Sequence, residues 1–94
     1  MVIKMTEAWS LKLLNALKSN EVVIESFNHQ RDGTCLTITC RNVHGELMTS
    51  KILRGNSEYP ILIKWENHML CCPASFGINE IAAVVTAISD GWNI

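Results

Sequence analysis

Four cysteines and three histidines in 94 residues are the side chains that most invite chemistry, and metal binding is the first to weigh. Structural zinc takes closely spaced Cys or His pairs whose side chains converge. Here Cys35 and Cys40 lie five apart on one strand-like run and so point to opposite faces, and the adjacent Cys71 and Cys72 diverge in the same way. Cys40 and His44 share a parity, but a turn separates them. The expectation is therefore no metal and no cofactor, with thiols that fill a core as small hydrophobes.

A catalytic thiol needs a lowered pKa, near a histidine or at a helix N-terminus. Cys72 comes nearest, just before a helical segment and with His68 close in sequence, but there is no C-x-x-C pair. Acid–base chemistry has one ionisable cluster, His29, Arg31 and Asp32 in a single polar loop. No P-loop, dinucleotide fingerprint, G-x-S-x-G or H-E-x-x-H occurs. The expectation is that the chain is not an enzyme.

The elements that position these residues follow from periodicity. A helix is predicted from Thr6 to Ser19, with Thr6 as N-cap, Glu7 in the first turn and Lys18 in the last. Its apolar stripe is Trp9, Leu13, Ala16 and Leu17, widened by Leu14, and Asn20 is placed to end it in the left-handed conformation. Strands follow at Glu21 to Asn28 and Cys35 to Asn42. In the second of these Leu36, Ile38 and Cys40 share one face and Thr37, Thr39 and Arg41 the other.

The partner strand alternates Met48, Ser50 and Ile52 with Leu47, Thr49 and Lys51. A two-residue turn would set Ile38 opposite Lys51. A three-residue loop, Val43-His44-Gly45, sets Leu36 opposite Ile52, Ile38 opposite Ser50 and Cys40 opposite Met48, with Gly45 at the left-handed bulge position. After the Arg54 to Glu58 loop, Tyr59-Pro60 opens a strand carrying Ile61, Ile63 and Trp65. Glu66-Asn67-His68 then turns into Met69 to Cys72. A last helix runs from Asn79 to Asp90, capped by Asn79, with the stripe Ile81, Val84, Val85 and Ile88. Gly91 and Trp92 form a Schellman-type ending on Ala87.

Short connections demand antiparallel neighbours. The predicted fold is thus a single α+β domain over residues 1–94: an N-terminal helix, an antiparallel meander sheet of four to five strands, and a C-terminal helix, with both helices on one sheet face. The other face, with Thr37, Thr39, Arg41, Thr49, Lys51 and Lys64, is expected to be wet.

Composition narrows the function. The chain is 48% hydrophobic and 18% charged, with a net charge of −1, so neither disorder nor bulk attraction to a polyanion fits. The N-terminal residues show no long apolar signal-peptide core, and no run approaches the length of a membrane span. With thiols inside apolar runs, this points to a cytoplasmic protein.

The last helix is the unusual element. Its only charges are Glu80 and Asp90, and its off-stripe positions are Ala82, Ala83, Thr86 and Ala87, where a surface helix normally carries a charged face. The expectation is a non-enzymatic protein-binding module: a small inhibitor, immunity or adaptor-type protein that occludes a partner, or a homodimer. Ala83, Ala87, Trp92 and Ile94 would supply the apolar anchor. His29, Arg31, Asp32, Arg54, Glu58 and Tyr59 would supply a polar rim. Two alternatives are a nucleic-acid-binding regulator using Arg41, Lys51 and Lys64, and a thiol-dependent enzyme using Cys72.

Overall fold

A computed structural model describes residues 5–92. Helix α1 (Glu7–Ser19) leads into strands β1 (Val23–His29), β2 (Cys35–Arg41), β3 (Leu47–Arg54), β4 (Ile61–Trp65) and β5 (His68–Cys72), and helix α2 (Ile78–Ser89) closes the chain. The five strands form one antiparallel meander in the order β1-β2-β3-β4-β5.

The β2–β3 register follows the alternation of apolar residues. Leu36 lies opposite Ile52, Ile38 opposite Ser50 and Cys40 opposite Met48. On the other face the Thr39 and Thr49 hydroxyls share a cross-strand hydrogen bond of 2.9 Å. Gly45 sits at φ +80, and its N–H donates to the Asn42 carbonyl over 3.0 Å, which is the turn-plus-bulge geometry of a three-residue loop.

Both helices cover the same sheet face. Leu13 and Leu17 of α1 and Ile81, Val85 and Ile88 of α2 join Leu36, Ile38, Ile52, Ile61, Ile63 and Trp65 in one buried cluster. The chain runs back and forth between two ends of this slab. The β1–β2 and β3–β4 loops, the β5–α2 link and the start of α1 lie at one end. The β2–β3 and β4–β5 turns and the C-termini of both helices lie at the other. The helices therefore run in the same direction, and an Asn20 to Thr86 side-chain bond of 3.2 Å ties their C-terminal ends together.

Several boundaries differ from expectation, each for a local reason. Helix α1 ends with Glu21, not Asn20, in the left-handed region (φ 62), because the Schellman bonds run from Val22 N–H to Leu17 and from Glu21 N–H to Lys18. That displaces the start of β1 from Glu21 to Val23. The N-cap of α2 is Gly77, not Asn79: the Glu80 side chain reaches back to accept from the Gly77 N–H at 2.8 Å, which makes Glu80 the third helical residue. The β4–β5 turn is Glu66-Asn67 alone, and His68 already pairs with Trp65. Ala82 is fully buried, not part of an outer face; one turn before Thr86, it faces α1.

Candidate functional site

The candidate residues belong to loops, to α2 and to the segment after it, and the fold sorts them into two groups. The first is the polar loop end. The β1–β2 loop carries Arg31 and Asp32 and follows His29, while Arg54, Glu58 and Tyr59 flank or occupy the β3–β4 loop. An Arg54 N–H to Thr34 carbonyl bond of 3.1 Å brings the two loops side by side.

Each loop is held by its own side chains. Asp32 accepts from the Thr34 hydroxyl at 2.7 Å and the Thr34 N–H at 3.1 Å, and these two bonds hold its carboxyl below the ordinary 3.8. Asn56 Oδ1 accepts from the N–H groups of Glu58 (3.0 Å) and Tyr59 (2.8 Å). His29 Nε2 lies 2.6 Å from the Met5 carbonyl, so this histidine anchors the approach to α1. Asp32 is thus committed to its own turn, and His29 to the backbone.

The second group lies on α2. Asn79, Ala83 and Ala87 follow one another at four-residue spacing along its outer side, the first two exposed and Ala87 half-buried. Between Glu80 and Asp90 the helix carries no charge. Its end is fixed by two bonds, from Trp92 N–H to the Ala87 carbonyl (2.9 Å) and from Gly91 N–H to the Ile88 carbonyl (3.0 Å), with Gly91 at φ +95. Trp92 thereby lands on Trp65, ring centroids 5.6 Å apart and planes 23° from parallel. His68 packs on the same indole at 5.5 Å. Trp65 is 1% exposed and Trp92 42%, so Trp92 buries one face on its own domain and keeps the rest outside. Ile94 lies outside the described residues.

The Trp65–Trp92–His68 cluster was missed from sequence. The available signal was that Trp65 shares the helix-facing parity of Ile61 and Ile63 at the end where α2 stops. The two groups of candidates are not brought together: the polar loops sit at the N-terminal end of α2 and Trp92 at its C-terminal end, with Ala83 between them.

The alternative chemistries rest on residues placed less favourably. Burial raises the Cys72 thiol from the ordinary 9.0 to about 11, helped by the neighbouring Cys71, which is the reverse of what a nucleophile needs. Cys40 is raised to about 11 by burial alone. The four thiols are free. Among the described residues no three His, Cys, Asp or Glu side chains converge to hold a metal ion. On the uncovered sheet face Lys51 and Lys64 are direct cross-strand neighbours, but the Arg41 Nε is paired with Glu25 at 2.7 Å. Among the described residues no helix is long and apolar enough to cross a membrane.

In comparisons with known proteins, no family model, no curated protein sequence and no solved structure matches this chain.

Proposed function

We propose that this chain is a non-enzymatic, cytoplasmic protein-binding module that occludes a partner's surface in the manner of a small inhibitor, immunity or adaptor protein. The observation that carries the proposal is the uncharged outer strip of α2, with Ala83 exposed, Ala87 half-buried and the open part of Trp92 at its end. Small side chains let a partner approach the helix closely, and a preset aromatic loses little rotamer freedom on contact. Arg31, Arg54, Glu58 and Tyr59, all exposed at the loop end, are suited to a polar rim beyond the N-terminus of the same helix. Four free thiols, two of them buried in the core, support a reducing compartment.

The test is affinity purification of the chain from its host, followed by binding measurements on the purified partner. Ala83→Glu and Ala87→Glu are expected to weaken binding at least about tenfold, because a carboxylate would be stripped of water at the contact. Circular dichroism should be unchanged. Full binding by both variants would remove α2 from the interface.

Nucleic-acid binding is the competing function, supported by the adjacent Lys51 and Lys64. It predicts RNA or DNA affinity that falls steeply with salt and is lost in a Lys51→Ala, Lys64→Ala double variant.

A further inference from the structure

The hydrogen-bond alternation of the sheet determines which backbone groups of its last strand have no partner strand. The Arg54 N–H to Thr34 carbonyl bond turns the Arg54 backbone toward β2, so that of Leu53 points to β4. Leu53 pairs with Leu62, and the alternation then turns Ile61, Ile63 and Trp65 toward β5. Their partners Cys72, Leu70 and His68 face back to β4. The N–H and C=O groups of Met69 and Cys71 consequently point out of the sheet, along an edge that no other strand of the described residues pairs with.

The two edges of the sheet are built differently. β1 breaks register between Ile24 and Ser26, which bulges Glu25, and it carries exposed Ser26 and Asn28 and the Glu25–Arg41 ion pair. Bulges and charges are how natural edges are kept from pairing. β5 has neither. Its sequence, His68-Met69-Leu70-Cys71-Cys72, contains no Lys, Arg, Asp or Glu, its register with β4 is unbroken, and Met69 is 48% exposed.

We propose that β5 is a self-association edge: two copies of this chain pair antiparallel through it and join their sheets into one ten-stranded sheet. The occupant follows from self-complementarity. An antiparallel pair related by a two-fold axis must bond through the outward-facing residues Met69 and Cys71. Centring the axis on Leu70 sets Met69 of each copy opposite Cys71 of the other, and every outward N–H meets a carbonyl. Centring it on Cys71 would set Met69 opposite Pro73, which has no N–H to give. Centring it on Met69 would run Cys71 into the Asn67 turn residue of the other copy.

In the Leu70-centred register Leu70 meets Leu70 on the helix-bearing side, and no charged residue lies within the paired segment. On the open side the half-buried Leu53 and Leu62 and the exposed Cys71 form a row that continues onto Met69 of the second copy. A seam of five residues per chain is small, so the dimer is expected to be concentration-dependent. It uses a surface other than the outer strip of α2 and stands whether or not α2 binds a partner.

The test combines sedimentation with directed cross-linking. The chain is expected to shift from monomer to dimer mass between micromolar and millimolar concentration. Met69→Pro, which removes an outward N–H and no bond to β4, and Cys71→Lys, which puts a charge on the edge, should each leave a folded monomer throughout. Under copper–phenanthroline, Met69→Cys should give a covalent dimer linked between position 69 of one copy and Cys71 of the other, while Val43→Cys at the β2–β3 turn should not link through position 43. A chain monomeric at every concentration overturns the proposal, even if β5 amides are protected by some other polypeptide. So does a dimer that survives both edge variants, or a link in Met69→Cys that joins only Cys71 to Cys71.

Discussion

Trp92 lies stacked on Trp65 with ring centroids 5.6 Å apart, and the left-handed Gly91 directs it there. The residue that follows the α2 C-terminal turn thus seals the end of the core, where Trp65 is almost wholly covered. Trp92→Ala is expected to lower stability by about 1–2 kcal/mol, from lost stacking and partial loss of burial. Thermal unfolding measures the drop, and the fluorescence of the uncovered Trp65 should shift to the red. Trp92→Phe should retain most of the stability. An unchanged melting temperature in Trp92→Ala would mean that the stack carries no weight.

Two carboxylate residues occupy left-handed backbone positions, Glu21 at φ 62 and Glu66 at φ 49. Among the described residues neither side chain has a hydrogen-bond or ion-pair partner that would offset the strain. Glu21→Gly and Glu66→Gly should therefore each stabilise the fold, by about 0.5–1 kcal/mol, with relief of the Cβ clash exceeding the entropy cost of glycine. Chemical denaturation of the single and double variants checks this. Glu21 precedes β1 at one edge of the sheet and Glu66 joins β4 to β5 at the other, so the two gains should add.

Gly55 works by a different constraint. A methyl group there would collide with the Tyr59 backbone carbonyl, in a loop closed by the Gly55 N–H to Pro60 carbonyl bond of 2.8 Å. Gly55→Ala is expected to cost about 1–3 kcal/mol and to displace Tyr59. Amide exchange across residues 55–60 should rise while that of β2 stays protected.

The buried thiols set a pH dependence. Cys40 and Cys72 are raised in the folded chain from 9.0 to about 11, chiefly by burial. Their contribution is fully present below pH 9.0 and is lost as pH rises toward about 11, because the unfolded chain sheds these protons first. Denaturation midpoints should hold up to pH 9.0 and then fall between 9.0 and about 11, less steeply in a Cys40→Ala, Cys72→Ala variant. In the native state the exposed Cys71 should alkylate quickly, and Cys40 and Cys72 only on unfolding.

The fold was largely legible because the strongest local signals agreed with the global pattern. The β2–β3 register could be read from parity and from Gly45 alone, and Thr6 caps α1 through a 3.1 Å bond from the Trp9 N–H as its position suggested. The misses came where side chains compete for one role. Asn79 is a good cap by type, yet Glu80 selects Gly77 by reaching back three residues. Asn20 tolerates the left-handed region better than Glu21, yet the Schellman bonds place the reversal one residue later. The bulge at Glu25 left no mark, since Val22 to His29 alternates poorly in either phase.

The candidate site was legible in part. Ala83 and Ala87 occupy the outer side of α2, but Ala82 turned inward toward α1, which sequence periodicity on one helix cannot reveal. Trp92 has a double role, plug on one side and exposed edge on the other, that its sequence position left open. The adjacency of the two polar loops depends on pairing between β2 and β3 and becomes visible only with the sheet assembled.

Site-specific photo-cross-linking in the host tests the docking role of α2 most directly. A photoreactive residue is placed at Ala83 or Ala87, or for comparison at Thr49 on the uncovered sheet face. One covalent partner polypeptide is expected from positions 83 and 87, and none from 49. A partner captured from position 49 alone, or no adduct from either α2 position, would contradict that role.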